Sequence, residues 1–300
     1  MRVTALYNPE AGRKTLRRQR FIALLERAGY DATYLSAKGD RWKDALEDPG
    51  DLVVVAGGDG TTAKVAKRLA GRGVPLAILP GGTANNIARS LGLDAPLDRL
   101  IAGWSDATPT PVDLGFARGP WGEELFIEAW GLGVFPRMLK NAELLEKMTA
   151  AERAKLGPTK HGIELMIDLV RSGHARHWSV TVDGRDLSGD YIMLEAMNIR
   201  YIGGGIELAP AANPTDGMLD VVVVREEDRA SFIEYLRGMR SGESFVHRGK
   251  QLEISCAETL AHLDDEPWPG PDDANDTKRS VPESATMTIE VQAGAIEVLL

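Results

Sequence analysis

The chain has 300 residues, with 43% apolar and 26% charged side chains, enough for one large domain or two ordinary ones and too apolar for global disorder. Thirty-five Lys and Arg stand against 44 Asp and Glu, a net charge of −9, which argues against a general nucleic-acid binder. Cys256 is the single cysteine, so an intrachain disulfide and a Cys-based zinc cluster are excluded and a cytoplasmic location is expected.

The opening MRVTALYNPEAG has a short apolar run broken by Asn8 and Pro9, unlike a signal peptide. No run reaches the roughly 18 apolar residues of a spanning helix, so any membrane contact is expected to be peripheral. The first 110 residues alternate two periods. Short apolar runs at 3–7, 32–35, 51–56 and 75–79 read as buried strands. Helical patterns at 16–28, 42–46, 61–70 and 84–91 separate them, with Gly29, Gly71 and Gly92 as stops. Strands alternating with short helices predict βαβ units on a parallel sheet.

Pro109 and Pro111 punctuate the chain, and the pattern changes beyond them. Strands are expected at 125–129, 177–182, 191–197, 219–224, 251–256, 286–291 and 295–299. Helices are expected at about 136–155, 162–171 and 229–239, and a polar, turn-rich loop at 267–279. The predicted division is an α/β domain over 1–111 and a β-rich domain over 112–300, with the extreme C-terminus free to return to the first.

The sharpest local signal is Gly57-Gly58-Asp59-Gly60-Thr61, between a buried strand and a helix. Glycines there permit positive φ and close approach to the backbone, and the helix start offers N–H groups to a phosphate. Asp59 would repel a triphosphate, which implies Mg²⁺ nearby or a role in handling a hydroxyl proton. A second glycine turn, Pro80-Gly81-Gly82-Thr83-Ala84-Asn85-Asn86, follows the next strand. Thr83 and Asn85 read either as phosphate or ribose ligands or as helix caps. The first strand ends in Asn8-Pro9-Glu10-Ala11-Gly12, followed by Arg13 and Lys14, which could face phosphate oxygens.

NPEAG, GGDGT and LPGGTANNIARSLG, in this order and spacing, resemble the diacylglycerol kinase catalytic family of lipid kinases, bacterial type. GGDGT alone is shared with NAD kinases. The resemblance implies a nucleotide-binding α/β domain, then an antiparallel β-sandwich domain, with the active site in the cleft between them. It also implies ATP as the phosphate donor, with Asn8, Pro9, Gly12, Arg13, Ser36, Gly57, Gly58, Asp59, Gly60, Thr61, Gly82, Thr83 and Asn85 around it.

Three later segments fit the same family. Asp113 in VDLG resembles its acidic residue at the domain crossover. Asn213 to Asp220 (NPTDGMLD) resembles its DGxLD segment, where the Asp216 carboxylate and the carbonyls of Asn213 and Met218 would bind Mg²⁺. Such an oxygen set suits a hard cation. Leu263-Asp264-Asp265-Glu266 resembles its DGE motif, in which Asp264, or else Glu266, would be the general base. Asp265 stands where the family has glycine, a departure that matters if that position needs positive φ. Cys256 reads as a small core residue. Met138, Leu139, Leu144, Leu145 and Met148 read as core, with an acyl-chain entrance as the alternative.

The reading is thus an ATP- and Mg²⁺-dependent kinase phosphorylating a hydroxyl of diacylglycerol or a related lipid. The alternatives are a NAD kinase-like enzyme and a non-catalytic lipid- or nucleotide-binding member of the fold. The lipid is the expected partner, nucleic acid is not, and a homodimer stays open.

Overall fold

A computed structural model describes residues 1–11, 17–39, 41–145, 158–238, 245–257, 260–268 and 285–300. The chain divides into two compact units. The first comprises Met1–Leu114, Pro214–Asp216 and Gln292–Leu300, the second Gly115–Asn213 and Gly217–Val291. Two short returns of the chain thus belong with the N-terminal unit.

In the first unit, β1 (Val3–Tyr7), α1 (Arg18–Arg27), β2 (Ala32–Ser36), α2 (Arg41–Ala45), β3 (Leu52–Gly57), α3 (Asp59–Leu69), β4 (Leu76–Pro80), α4 (Asn86–Ser90) and α5 (Leu97–Gly103) follow in order. The strands β4-β3-β1-β2 are parallel neighbours. The end of β18 (Ala285–Leu299) adds a further parallel strand, Val298 opposite Leu76. LVVVA in β3 is apolar throughout because both sheet faces are covered. Val54 and Ala56 share a core with Phe21 and Leu25 of α1, Ile101 of α5 and Trp104 just after it. Val53 and Val55 alternate to the other face and are also buried. α5 was not foreseen; its short DRLIAG pattern buries one residue, Ile101, too few to show a period.

β5 (Pro109–Gly119) carries the chain from the first unit into the second. The punctuation expected at Pro109 and Pro111 is therefore the start of a strand, where prolines are tolerated. The second unit continues with β6 (Gly122–Phe126), β7 (Ala129–Gly133), α6 (Val134–Leu145), α7 (Pro158–Ser172), β8 (Arg176–Val182), β9 (Arg185–Asp186) and β10 (Gly189–Met197). Then come β11 (Tyr201–Ile202), β12 (Ile206–Glu207), β13 (Leu219–Arg225), α8 (Arg229–Leu236), β14 (Val246–Gly249), β15 (Gln251–Cys256), β16 (Ala261–Leu263) and β17 (Glu266–Trp268), before β18. Residues 146–157 and 269–284, holding the far end of the predicted 136–155 helix, Met148 and most of the predicted 267–279 loop, lie outside the described residues. The single expected strand at 125–129 is two, β6 and β7, and the strands expected at 286–291 and 295–299 are one, bent at Gly294.

β10 is the hub of this unit, pairing antiparallel with β7, β8 and β13. Leu194 and Ala196 enter a core with Trp130, Trp178, Val221 and Ile254, whereas Met193 and Met197 enter another with Phe135, Met166 and Phe232 of the helices. A bulge between Tyr191 and Met193 shifts the phase. Met138 is 6% exposed within the helical core, so at that position core packing holds. Cys256 is buried in the strand core. No helix among the described residues is long and apolar enough to cross a membrane.

Gly115 lies directly opposite Phe126 in the β5–β6 pair. A Cβ on Gly115 would come within 1.9 Å of the Phe126 ring. Gly115→Ala is therefore expected to destabilise the fold by about 1–3 kcal/mol or more, read by urea denaturation.

Candidate active site

The turns after β1, β3 and β4 leave one edge of the parallel sheet side by side, because Tyr7 is in register with Ser36 and Ala56, and Gly57 with Pro80. Backbone bonds continue the alignment beyond the strands. Asn8 N–H donates to Ala56 O at 3.0 Å, Ala37 N–H to Tyr7 O at 2.9 Å, and Gly81 N–H to Gly57 O at 2.7 Å.

Gly57 and Gly82 of these turns are needed for space, not for unusual backbone angles. None of Gly57, Gly58, Gly60, Gly81 or Gly82 has positive φ. A Cβ on Gly82 would lie 2.6 Å from Gly58 Cα, and one on Gly57 would lie 2.8 Å from Thr61 Cβ. The left-handed residue is Asn85, at φ 51. Its amide closes the second turn by accepting from Gly82 N–H at 2.8 Å and donating to Gly82 O at 3.1 Å. Thr83 is exposed on that turn.

Asp59 is the first residue of α3, and its Oδ1 accepts the Ile87 N–H of α4 at 3.0 Å. Burial raises its pKa above the ordinary 3.8, against the lowering effect of backbone N–H bonds from Ile87, Asn86 and Asn85. The carboxylate thus occupies the amides that open α4, and its charge is balanced there by the helix start. The amides that open α4 are thus taken by Asp59, and those that open α3 beyond its own are not.

A cavity of about 340 Å³ adjoins that start, lined by residues including Asn8, Gly58, Gly60, Thr61 and Lys64. Asn8 is held by a hydrogen bond that its Nδ2 donates to Thr61 Oγ1 at 2.8 Å, and its Oδ1 accepts Glu10 N–H. Lys64 was not among the expected site residues; its place one turn beyond Gly60 on α3 was the available signal. A second cavity, about 490 Å³, takes in Tyr7, Pro9, Arg17, Arg18 and Ser36. A third, about 650 Å³, takes in Pro80, Thr83, Asn85 and Arg89. Gly12 and Arg13 lie outside the described residues.

Asp113 is 2% exposed and is an organiser of the first unit. Its Oδ1 accepts Gly294 N–H and its own N–H donates to Pro214 O, both at 2.7 Å. The turn held in this way carries Asp216, which is exposed, and Gly217, at φ 71, where glycine is required. No group of three or more His, Cys, Asp or Glu suited to a metal occurs among the described residues. One exposed carboxylate beside a sharp turn of backbone carbonyls fits a hard, partly hydrated cation such as Mg²⁺ and not zinc.

In the second unit, Asp264 and Asp265 form the two-residue turn between β16 and β17, with Leu263 opposite Glu266. Asp264 is 6% exposed, and its Oδ1 accepts Ile127 N–H at 3.0 Å and Glu128 N–H at 2.7 Å. Asp265 and Glu266 are exposed. The positive φ of the turn falls on Asp264, at 53°, and not on Asp265. No left-handed backbone at Asp265 calls for glycine. Behind the turn, His262 and Glu195 are fully buried and bonded at 2.6 Å, a pair that sequence reading did not single out. Burial raises the Glu195 carboxyl. Burial alone would lower the His262 imidazole, but Glu195 and the Asp264 carbonyl outweigh it and raise its pKa.

Two expectations follow. Asp59→Ala should cost about 1–2 kcal/mol in urea denaturation at neutral pH, since it uncaps α4, and Asp59→Asn, which keeps an acceptor, should cost less. Because the native pKa of Asp59 lies above 3.8, the folded state holds the proton more tightly. Wild-type stability relative to Asp59→Asn should therefore fall as pH rises from 3.8 through the native value, then level off. Asp265→Gly should leave turnover unchanged and lower stability by about 0.5–1 kcal/mol, by loosening the unfolded chain without relieving strain.

Comparison with known proteins agrees with this geometry. The family model "Diacylglycerol kinase catalytic domain" matches residues 2–117, and "YegS C-terminal NAD kinase beta sandwich-like domain" matches residues 145–299. The chain is 35% identical over 239 residues to "Probable lipid kinase YegS-like" of Pseudomonas aeruginosa, covering 76% of this chain and 74% of that protein. It is 27% identical to a diacylglycerol kinase of Bacillus subtilis, covering 86% of this chain and 87% of that one. A crystal structure of a diacylglycerol kinase from Bacillus anthracis superposes with a TM-score of 0.72 at 25% identity, covering 99% of this chain and 96% of that one. The expected parallel α/β and antiparallel β-sandwich domains are both present, and the chain is a kinase that belongs to the diacylglycerol kinase family of lipid kinases.

Proposed function

We propose that this kinase transfers the γ-phosphoryl group of ATP to a hydroxyl of diacylglycerol or a related lipid. The observation that carries the reading is the cavity at the start of α3, where Asn8, Gly58, Gly60, Thr61 and Lys64 converge. Backbone N–H groups, a helix start and an ammonium suit the phosphates of a nucleotide. Pro9 and Ser36 line the neighbouring cavity and extend the nucleotide site along the sheet edge, with Gly12 and Arg13 following in the chain. Thr83 of the second glycine turn is exposed and completes the set. Asp59, Asn85 and Gly82 act on the nucleotide indirectly, by fixing the two glycine turns against each other.

The acceptor hydroxyl must lose a proton as phosphorus is transferred. Asp264 is the general base in this reading: its carboxylate is held by two backbone N–H groups, so its aim is set before substrate arrives. Exposed Glu266 is the alternative base. Asp216, with the carbonyls of Asn213 and Met218, would hold Mg²⁺. When bound, that ion supplies neutralisation of phosphate charge. The substrate class follows from the names of the relatives, diacylglycerol kinase and lipid kinase. With no spanning helix among the described residues, contact with the bilayer is peripheral in this reading.

Incubation with radiolabelled ATP, Mg²⁺ and a total lipid extract should yield one labelled lipid, reduced at least ~10²-fold by Asp264→Asn. Asp216→Asn should raise the Mg²⁺ concentration needed for half-maximal turnover. Formation of NADP from NAD, with no labelled lipid, would reassign the chain to NAD kinase chemistry, the one rival that the description of its β-sandwich domain supports.

A further inference from the structure

The second unit buries a carboxylate and an imidazole that no step of the proposed reaction uses. Glu195, in the middle of β10, and His262, in β16, are both fully buried. Gly131 of β7 lies directly opposite Glu195, and a Cβ there would fall 2.0 Å from Glu195 Oε2. The neighbouring strand has therefore given up a side chain to make room for the carboxylate. The His262 ring is packed against Phe135, centroids 4.6 Å apart, and both its nitrogens are engaged. Nε2 meets Glu195 Oε2 at 2.6 Å, and Nδ1 meets the backbone carbonyl oxygen of Asp264 at 2.8 Å.

These contacts fix where the ring carries hydrogen. A carbonyl oxygen only accepts, so Nδ1 must carry a proton. Two forms of the pair satisfy that condition: imidazolium with carboxylate, or Nδ1–H imidazole accepting at Nε2 from a carboxylic acid. Both are neutral overall, which suits a site sealed from water. In both, the Asp264 carbonyl excludes the tautomer with hydrogen on Nε2 alone, which would set a lone pair of Nδ1 against it, and Glu195, bonded to Nε2, holds the ring in the orientation that keeps Nδ1–H on that carbonyl.

We propose that Glu195 and His262 are positioning residues, which lock the left-handed backbone of Asp264 and so aim its carboxylate. Asp264 is gripped twice: its carbonyl from behind by His262 Nδ1, and its carboxylate from the front by the amides of Ile127 and Glu128. A non-glycine residue at φ 53 needs such support, since that conformation is disfavoured when unsupported. The pair is no proton relay, because Nδ1 reaches the backbone of Asp264 and not its side chain. The inference rests on the reading of Asp264 as the base.

The test compares Glu195→Gln with Glu195→Leu and uses Asp264→Asn as control. Glutamine can donate to Nε2 and hold the ring in place; leucine cannot. Glu195→Leu should lower kcat roughly 10- to 100-fold, the effect of a small misplacement, with KM for ATP within about twofold. Glu195→Gln should stay within about threefold of wild type in kcat. Long-range ¹H–¹⁵N spectra of the His262 ring should show a protonated, slowly exchanging Nδ1 in wild type and Glu195→Gln, and faster exchange of that proton in Glu195→Leu, where nothing holds Nε2. Unchanged kcat in Glu195→Leu beside an inactive Asp264→Asn overturns the positioning role and leaves the base in place. Full activity in Asp264→Asn overturns the base assignment and the inference with it. Should Glu195→Leu fail to fold, the wild-type ring decides: a ring without hydrogen on Nδ1 overturns the proposal.

Discussion

Two backbone turns touch where side chains would not fit, and the first unit's site is built around that contact. Gly81 N–H reaches Gly57 O at 2.7 Å, and Gly82 lies so near Gly58 that a single Cβ would collide with its Cα. Only this closeness lets Asp59, at the head of α3, deliver its carboxylate to the first amides of α4. One helix start is thereby occupied by the protein's own anion, and the neighbouring start, beside Asn8, Thr61 and Lys64, takes in the cavity. An acidic residue in this glycine loop is thus explained without a cation at its side: its carboxylate meets the first amides of α4. The small α4, five residues long, buries Asn86, Ile87, Ala88 and Ser90, and this bond adds a fixed start to that packing.

The second unit solves a related problem with buried polar groups. The link Ile127–Glu128 between β6 and β7 is held from two sides. Asp264 accepts both of its N–H groups, and Asn198 donates from Nδ2 to Ile127 O at 2.9 Å. Asn198 N–H donates to Glu128 O at 2.9 Å. Polar groups in a core are costly unless satisfied, and when satisfied they fix one arrangement among several of equal apolar packing. Here they hold the turn that presents Asp264.

How much of this could be read from the residues differs by feature. The βαβ alternation was legible because each strand is a short apolar run and three of the four expected helices end at a glycine; Gly29 does stand at φ 82. GGDGT and GGTANN announced their glycines but not the reason for them. Collision with another loop is a tertiary fact, whereas positive φ is the local explanation that sequence suggests, and here tertiary approach is the cause. α5 was illegible because one buried residue sets no period. Glu195 and His262 are 67 positions apart, and each looked ordinary in its strand; only the pairing of β7 with both β10 and β16 brings them together.

At Asp265 the backbone makes no demand for the glycine of the motif it resembles. A two-residue hairpin turn must place positive φ somewhere, and this turn places it on the first loop residue. Asp is among the residues that accept that region, and its own backbone carbonyl and side chain are both anchored there. With the strain carried by Asp264, the second position is ordinary backbone facing solvent, where aspartate is no harder to place than glycine. The constraint in the hairpin therefore lies on Asp264 and on the groups that hold it, which is where substitutions should be felt.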